Sequence, residues 1–274
     1  MAPTEPHLAP TTPDLVWFGG GDAIRFLNDL ISQEIGTVEP GAVRRSFLLT
    51  PQGKLDHLLW VLRGADQVGL AVDAGRGEDL AAKLGRYRIR VDVEIELMTD
   101  RVSLVVGRFA AEPGRWSGDR SALTADLSWS NLQRTLLVGE KPDLPFLDLE
   151  TYELLRIEAG EPVMGIDVTD ATIPQETGLV PASISFDKGC FLGQELVARL
   201  DSRGGRVNHH LRILRFEGAA PEAGTEVEVE GSAVGMMTSS SDGVGLSLLR
   251  RGVEPGDVVM VGDAQAVVEA IPGS

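Results

Sequence analysis

One cysteine stands in 274 residues, Cys190, inside the stretch DKGCFLGQELVAR from 187 to 199. Read as a helix opening at the cysteine, CFLGQELVARLDS puts the thiol in a first turn, where unpaired amides and the positive end of the dipole favour an anion. Lys188, just before it, adds a full positive charge. Those conditions lower a thiol pKa and favour redox or transfer chemistry on the thiolate. The competing reading is packing, because free cysteine is among the most buried residue types. Gln194 follows Cys190 by four positions, so a thiol and an amide would share one pocket wall. Glu195 either joins that wall or pairs with Arg199, the favourable order at a spacing of four.

A second set of candidates is acidic. Arg156 and Glu158 lie near the end of the apolar helix pattern LETYELLRIEAGEP, where the negative end of the dipole disfavours a carboxylate. An acid so placed either faces solvent or has a partner, and paired N–H donors on a heterocycle edge, such as a pterin's, fit two carboxylate oxygens. Asp56 and His57 in GKLDHLL raise the same question on a strand that otherwise reads as buried. A single cysteine makes no internal disulfide, and with His7, His57, His209 and His210 scattered it builds no closed zinc site of the usual spacing, so no metal is expected.

The elements that must hold these residues follow from periodicity. Residues 1–14 carry Pro3, Pro6, Pro10 and Pro13 without apolar period and predict a mobile tail, with order beginning at Leu15. GDAIRFLNDLISQE predicts a helix capped by Asp22. RRSFLLT, LDHLLWVLR and QVGLAVD, broken at PQGK and again near Gly64, predict an antiparallel meander. EDLAAKLGRY reads as a helix and RIRVDVEIEL as a strand with one wet face. AEPGRWSGDRSALTADLSWS reads as loop before the strand NLQRTLLVGE. Beyond Gly204, short strands at regular Gly, Pro and Asp breaks predict a small closed barrel over 205–274, leaving 15–204 as the main α+β region of two interleaved subdomains.

Composition bounds the function classes. A hydrophobic content of 43% supplies a proper core. The formal charge of −16 repels phosphate backbones and anionic lipid, which argues against nucleic acid and membrane partners and otherwise serves solubility. No run approaches the roughly 20 apolar residues of a spanning helix, and MAPTEPHLAPTTPD lacks the basic and apolar regions of a secretion signal, so a cytoplasmic location is expected.

Residues 152–218 closely resemble the signature region of the YgfZ-type folate-binding proteins, relatives of the glycine-cleavage T-protein aminomethyltransferases. Three blocks carry the resemblance in order: RIEAG with Gly165, Ile166 and Asp167 downstream, then IPQETGL, then KGCFLGQE. Weaker similarity runs through GDAIRFLNDLISQEI and FLLTPQGKLDHLLWVL. The resemblance implies an α+β ring of three subdomains, the second ferredoxin-like and the last a small β-barrel, around an opening that receives tetrahydrofolate. It implies Glu158 as the carboxylate for the pterin edge, Arg156 as its neighbour, and Lys188, Cys190, Gln194 and Glu195 at the mouth, with Cys190 the characteristic thiol. It departs in Phe191, where tyrosine is more usual, and in Asp56 followed by His57, where the aminomethyltransferases carry two adjacent acids. The expected function is thus a tetrahydrofolate-binding accessory factor for iron–sulfur protein assembly or repair, with iron–sulfur client proteins as partners. Whether it is an enzyme stays open. The alternatives are a folate-dependent aminomethyl or demethylating one-carbon transferase using Asp56, and a folate-storing module whose thiol only packs.

Overall fold

The computed structural model describes residues 3, 5–98 and 100–273. Strands β1 (His7–Leu8) and β2 (Asp14–Gly19) precede helix α1 (Ala23–Asn28), and β3 (Val43–Leu49), β4 (Leu55–Arg63) and β5 (Val68–Val72) lead to α2 (Gly77–Gly85). Next come β6 (Glu94–Met98), β7 (Val102–Val106), β8 (Trp116–Asp119), β9 (Ala122–Asp126) and β10 (Arg134–Val138). Three helices follow, α3 (Leu149–Glu158), α4 (Val180–Ser183) and α5 (Gln194–Ser202). The chain ends in β11 (His209–Phe216), β12 (Glu226–Val229), β13 (Ser232–Ser241), β14 (Val244–Arg250), β15 (Val258–Val261) and β16 (Ala264–Ala270).

These strands form two antiparallel five-stranded sheets, in the orders β3-β4-β5-β2-β6 and β1-β7-β10-β9-β8, and a closed six-stranded barrel. The first sheet is covered on both faces, which is why β2 reads as the unbroken apolar run LVWF rather than an alternation. Leu15 and Trp17 point to the core shared with the second sheet, where Trp17 meets Trp116 at 5.7 Å between ring centroids. Val16 and Phe18 point the other way, under α1 and α2, with Leu27, Leu80 and Leu84. A third core joins β3 and β4 to Ile157 of α3, Val197 of α5 and the barrel, whose own interior holds Leu214, Val227 and Val268. Among the described residues no helix is long and apolar enough to cross a membrane.

The α+β reading and the C-terminal barrel agree with the expectation, and so does the meander of β3, β4 and β5. Four local readings are corrected. The tail is structured well before Leu15: β1 pairs with β7, Leu8 is buried, and its N–H donates to Pro145 O at 2.8 Å. The helix GDAIRFLNDLISQE stops at Asn28, because Ile31 forms a β-bridge with Leu48 and the Ser32 N–H donates to Phe47 O, so edge-strand pairing takes over its second half. Asp22 stands at its N-cap, but its carboxylate makes no cap bond and accepts the Asp92 N–H at 2.8 Å instead. The supposed loop at 116–126 is the hairpin β8–β9, whose Leu123 and Ala125 enter the main core.

Candidate functional site

Where the two sheets face each other they leave a cavity of about 300 Å³, closed on one side by α3 and by the loop that follows it. Its walls combine apolar groups, Leu58, Trp60 and Leu104, with a set of buried charges. Thr11 and Pro13, from the segment expected to be a mobile tail, also line it.

Glu161 is the centre of the charge network. Arg45 Nη1 donates to its Oε1 at 2.7 Å, and Arg134 Nη2 lies 2.6 Å from Oε2, an ion pair whose N–H is poorly aligned for a hydrogen bond. Burial pushes the Glu161 carboxyl up, but the Arg134 and Arg45 charges overcome it and hold it at about 2. The Arg45 guanidinium is sandwiched between Trp60 and Trp129, 4.6 Å from each ring centroid, a cation–π clamp that fixes its plane.

Asp73, the last residue of the run QVGLAVD, reaches the same cavity. Its Oδ2 accepts the Met164 N–H at 3.0 Å, and no hydrogen bond to its Oδ1 is made among the described residues. Burial raises its pKa; the Met164 N–H opposes that, while the Glu161 charge adds to it. A half-satisfied carboxyl of raised pKa in a cavity wall is an acceptor waiting for donors. Neither Asp73 nor Glu161 was singled out from sequence; the available signal was an acid closing an otherwise buried strand.

Arg156 lines the cavity, yet its donors are committed inside the protein. Nε and Nη2 donate to Glu153 Oε2 at 3.0 and 2.6 Å, Nη1 to Glu161 O at 2.7 Å and Asp167 Oδ2 at 2.9 Å, and Nη2 also to Ser239 Oγ at 2.9 Å. Asp167 in turn accepts the Val163 N–H and the hydroxyls of Thr238 and Ser239. The aspartate of the Gly165–Asp167 block is therefore a buried tie between α3, its following loop and the barrel.

Glu158 does not share the cavity. Two positions along a helix turn a side chain by about 200°, so with Arg156 facing inward Glu158 faces the barrel. There its Oε1 takes Arg215 Nη1 at 3.4 Å, while Arg215 also binds Glu269. Asp56 is outside the cavity too. It is the extra residue of a β-bulge, since Leu48 pairs with His57 and Leu49 with Leu55, and the bulge turns Asp56 toward α2. Lys83 Nζ donates to its Oδ1 at 2.5 Å. Burial pushes the Asp56 carboxyl up, but His57 and Lys83 together hold it below its ordinary value.

The KGC block forms a separate strap. Cys190 is exposed and lies outside any helix or strand, four residues ahead of α5, whose N-cap is Gly193 in the left-handed region at φ 76°. The thiol therefore does not sit in the first turn, and Gln194, the first helical residue, turns back so that its Oε1 accepts the Phe191 N–H at 3.1 Å. Glu195 is exposed and makes no ion pair with Arg199 among the described residues. Lys188 is structural: Nζ donates to the carbonyls of Asn28, Ile31 and Gln33 at 2.6, 2.9 and 2.9 Å, pinning the strap to the end of α1. Burial lowers its pKa to about 8, with Glu34 and Asp29 opposing. The strap lies against the β3–β4 turn so tightly that a Cβ on Gly193 would stand 2.3 Å from Thr50 O. The predicted site thus separates into four places: Arg156 at the cavity, Glu158 against the barrel, Asp56 against α2, and Lys188 and Cys190 on the strap with Gln194 and Glu195 at the start of α5.

Comparison with known proteins agrees with this architecture. Residues 210–271 match the CAF17 C-terminal beta-barrel domain. The chain is 24% identical to the mitochondrial iron-sulfur cluster assembly factor IBA57 homolog of Pyricularia oryzae, over 93% of this chain and 74% of that protein. It is 29% identical to mouse mitochondrial iron-sulfur cluster assembly factor IBA57, over 86% and 75%. It is 34% identical to the tRNA-modifying protein YgfZ of Klebsiella pneumoniae, over 41% of this chain and 34% of that one. The crystal structure of glycine cleavage system aminomethyltransferase T from Bartonella henselae superposes with a TM-score of 0.84 at 17% identity, covering 99% of this chain and 87% of that one. The fold is that of the aminomethyltransferases.

Proposed function

We propose that this chain, a homologue of the IBA57 and YgfZ proteins, is a cytoplasmic tetrahydrofolate-binding accessory protein that supports assembly or repair of iron–sulfur proteins. The observation that carries the folate reading is the 300 Å³ cavity with the half-satisfied Asp73 carboxyl in its wall. A pterin fits that volume, which lies at the small end of the usual ligand-pocket range of about 300–1,000 Å³. Its paired N–H edge supplies donors to Asp73, and Trp60 and Tyr152 supply ring faces. Asp73 takes the part that the resemblance implied for Glu158.

Cys190 serves as the exposed redox or transfer thiol. One cysteine cannot supply the usual four thiolates of a resident cluster, so contact with a client's cluster is shared and transient. The aminomethyltransferase alternative calls for an acid beside the folate nitrogen, and Asp56 lines no part of the cavity. Two measurements test the proposal. Anaerobic calorimetry with tetrahydrofolate gives saturable one-to-one binding; a flat titration removes the folate reading. Iron–sulfur enzyme activities fall in cells lacking the gene and are restored by the wild type but not by Cys190→Ala. Full rescue by Cys190→Ala reduces the protein to a folate-storing module.

A further inference from the structure

The bulge in β4 does more than turn Asp56 out of the cavity. It leaves two consecutive residues, Asp56 and His57, facing α2, which presents Asp79 and Lys83 one turn apart. His57 is fully buried, and neither ring nitrogen has a hydrogen-bond partner. Nδ1 stands 3.4 Å from Asp56 Oδ1 and Nε2 stands 3.4 Å from Asp79 Oδ2, too long and too poorly aligned to satisfy either. Leaving a buried polar group unmade is costly, so an imidazole in this state between two carboxylates points to a missing partner.

The two carboxylates already converge on a cation. Lys83 Nζ lies 2.5 Å from Asp56 Oδ1 and 2.8 Å from Asp79 Oδ2. The donor atoms of Asp56, His57 and Asp79 all fall within 4.8 Å of one another. Two donors bound at about 2.1 Å to one ion at a tetrahedral angle are about 3.4 Å apart. One ring nitrogen serves the ion, and each has one carboxylate at that separation, the third donor lying within 4.8 Å. The Lys83 ammonium is a third exposed and Asp79 half exposed, which gives both an entry path and room for the lysine to swing out. A mixed set of two carboxylate oxygens and one imidazole suits Mn²⁺, Fe²⁺, Co²⁺ or Zn²⁺ better than the all-oxygen preference of Ca²⁺ and Mg²⁺.

We propose that Asp56, His57 and Asp79 form a binding site for a divalent first-row transition-metal ion, which enters by displacing the Lys83 ammonium. A single thiol and scattered histidines preclude a closed cysteine–histidine site, whereas this site needs no thiol and keeps open coordination positions.

Cobalt(II) is the probe, added to the full chain in a Cys190→Ser background so that thiolate bands do not interfere. The expected result is one equivalent of Co²⁺ with visible d–d bands of a low-coordinate site, undisturbed by millimolar Mg²⁺. Lys83→Met removes the competing ammonium and binds at least about tenfold tighter, whereas a purely structural lysine would leave the cobalt affinity unchanged. Asp79→Asn, on the half-exposed ligand, binds at least about tenfold weaker. Absence of a one-equivalent cobalt signal in the Cys190→Ser protein, or an unchanged affinity in Asp79→Asn, overturns the proposal.

Discussion

Around the cavity, Glu161 holds two buried guanidiniums and Arg156 gives every donor to protein acceptors. The strap from Ser185 to Gly193 is instead fastened chiefly by one ammonium on three backbone carbonyls, and it carries its thiol into solvent. The first region is braced by buried ion pairs and offers the half-satisfied Asp73 carboxyl; the second is anchored through Lys188 and its contact with the β3–β4 turn and offers a reactive atom. Recognition of a rigid heterocycle benefits from groups already fixed in place, because no ordering entropy is then lost on binding. A thiol that must meet another protein benefits from access.

The sharpest way to break the contrast is at Glu161. Glu161→Gln leaves Arg45 and Arg134 buried without their counter-ion and lowers stability by about 3–5 kcal/mol, read from the urea midpoint. The same carboxylate sets an acid limit. Its folded pKa of about 2 lies below its ordinary 4.5, so its contribution is fully present above 4.5 and is lost as pH falls from there through about 2. An acid titration of Glu161→Gln is correspondingly shallower across that window than that of the wild type. Next in size, Asp73→Asn weakens tetrahydrofolate by about 1–3 kcal/mol in calorimetry, with the unfolding midpoint little changed. On the strap, Lys188→Met strands three carbonyls and costs about 1–2 kcal/mol locally. Hydrogen exchange there accelerates while folate affinity holds. The smallest effect is at Glu158, whose part-exposed pair with Arg215 is worth at most about 1 kcal/mol. Glu158→Gln leaves folate affinity unchanged, and a marked loss would return that residue to the site.

What the sequence made legible was local. The meander and the barrel are antiparallel strands joined by short turns, so alternation and breakers suffice to find them. The blocks RIEAG, GID and KGC lie at functional-looking places, but their side-chain directions depend on phase and on single dihedral angles. Glu158 and Glu161 differ by less than one helical turn plus a cap, and only the helix end at Glu158 decides which one enters the cavity. Cys190 loses its place in a first turn because Gly193 takes the left-handed conformation and starts the helix later. The bulge at Asp56 and the truncation of α1 come from cross-strand pairing with β3, which no window of sequence contains.

The fastening of Arg156 to Ser239 on β13, together with the Asp167 hydroxyl bonds, has a mechanical meaning. Any shift of β13 would pull on the same guanidinium that holds Glu153 and the Glu161 carbonyl. A protein pressing on that C-terminal module would thereby squeeze or loosen the ligand chamber, and the occupant of the chamber would in turn bias how the module is presented.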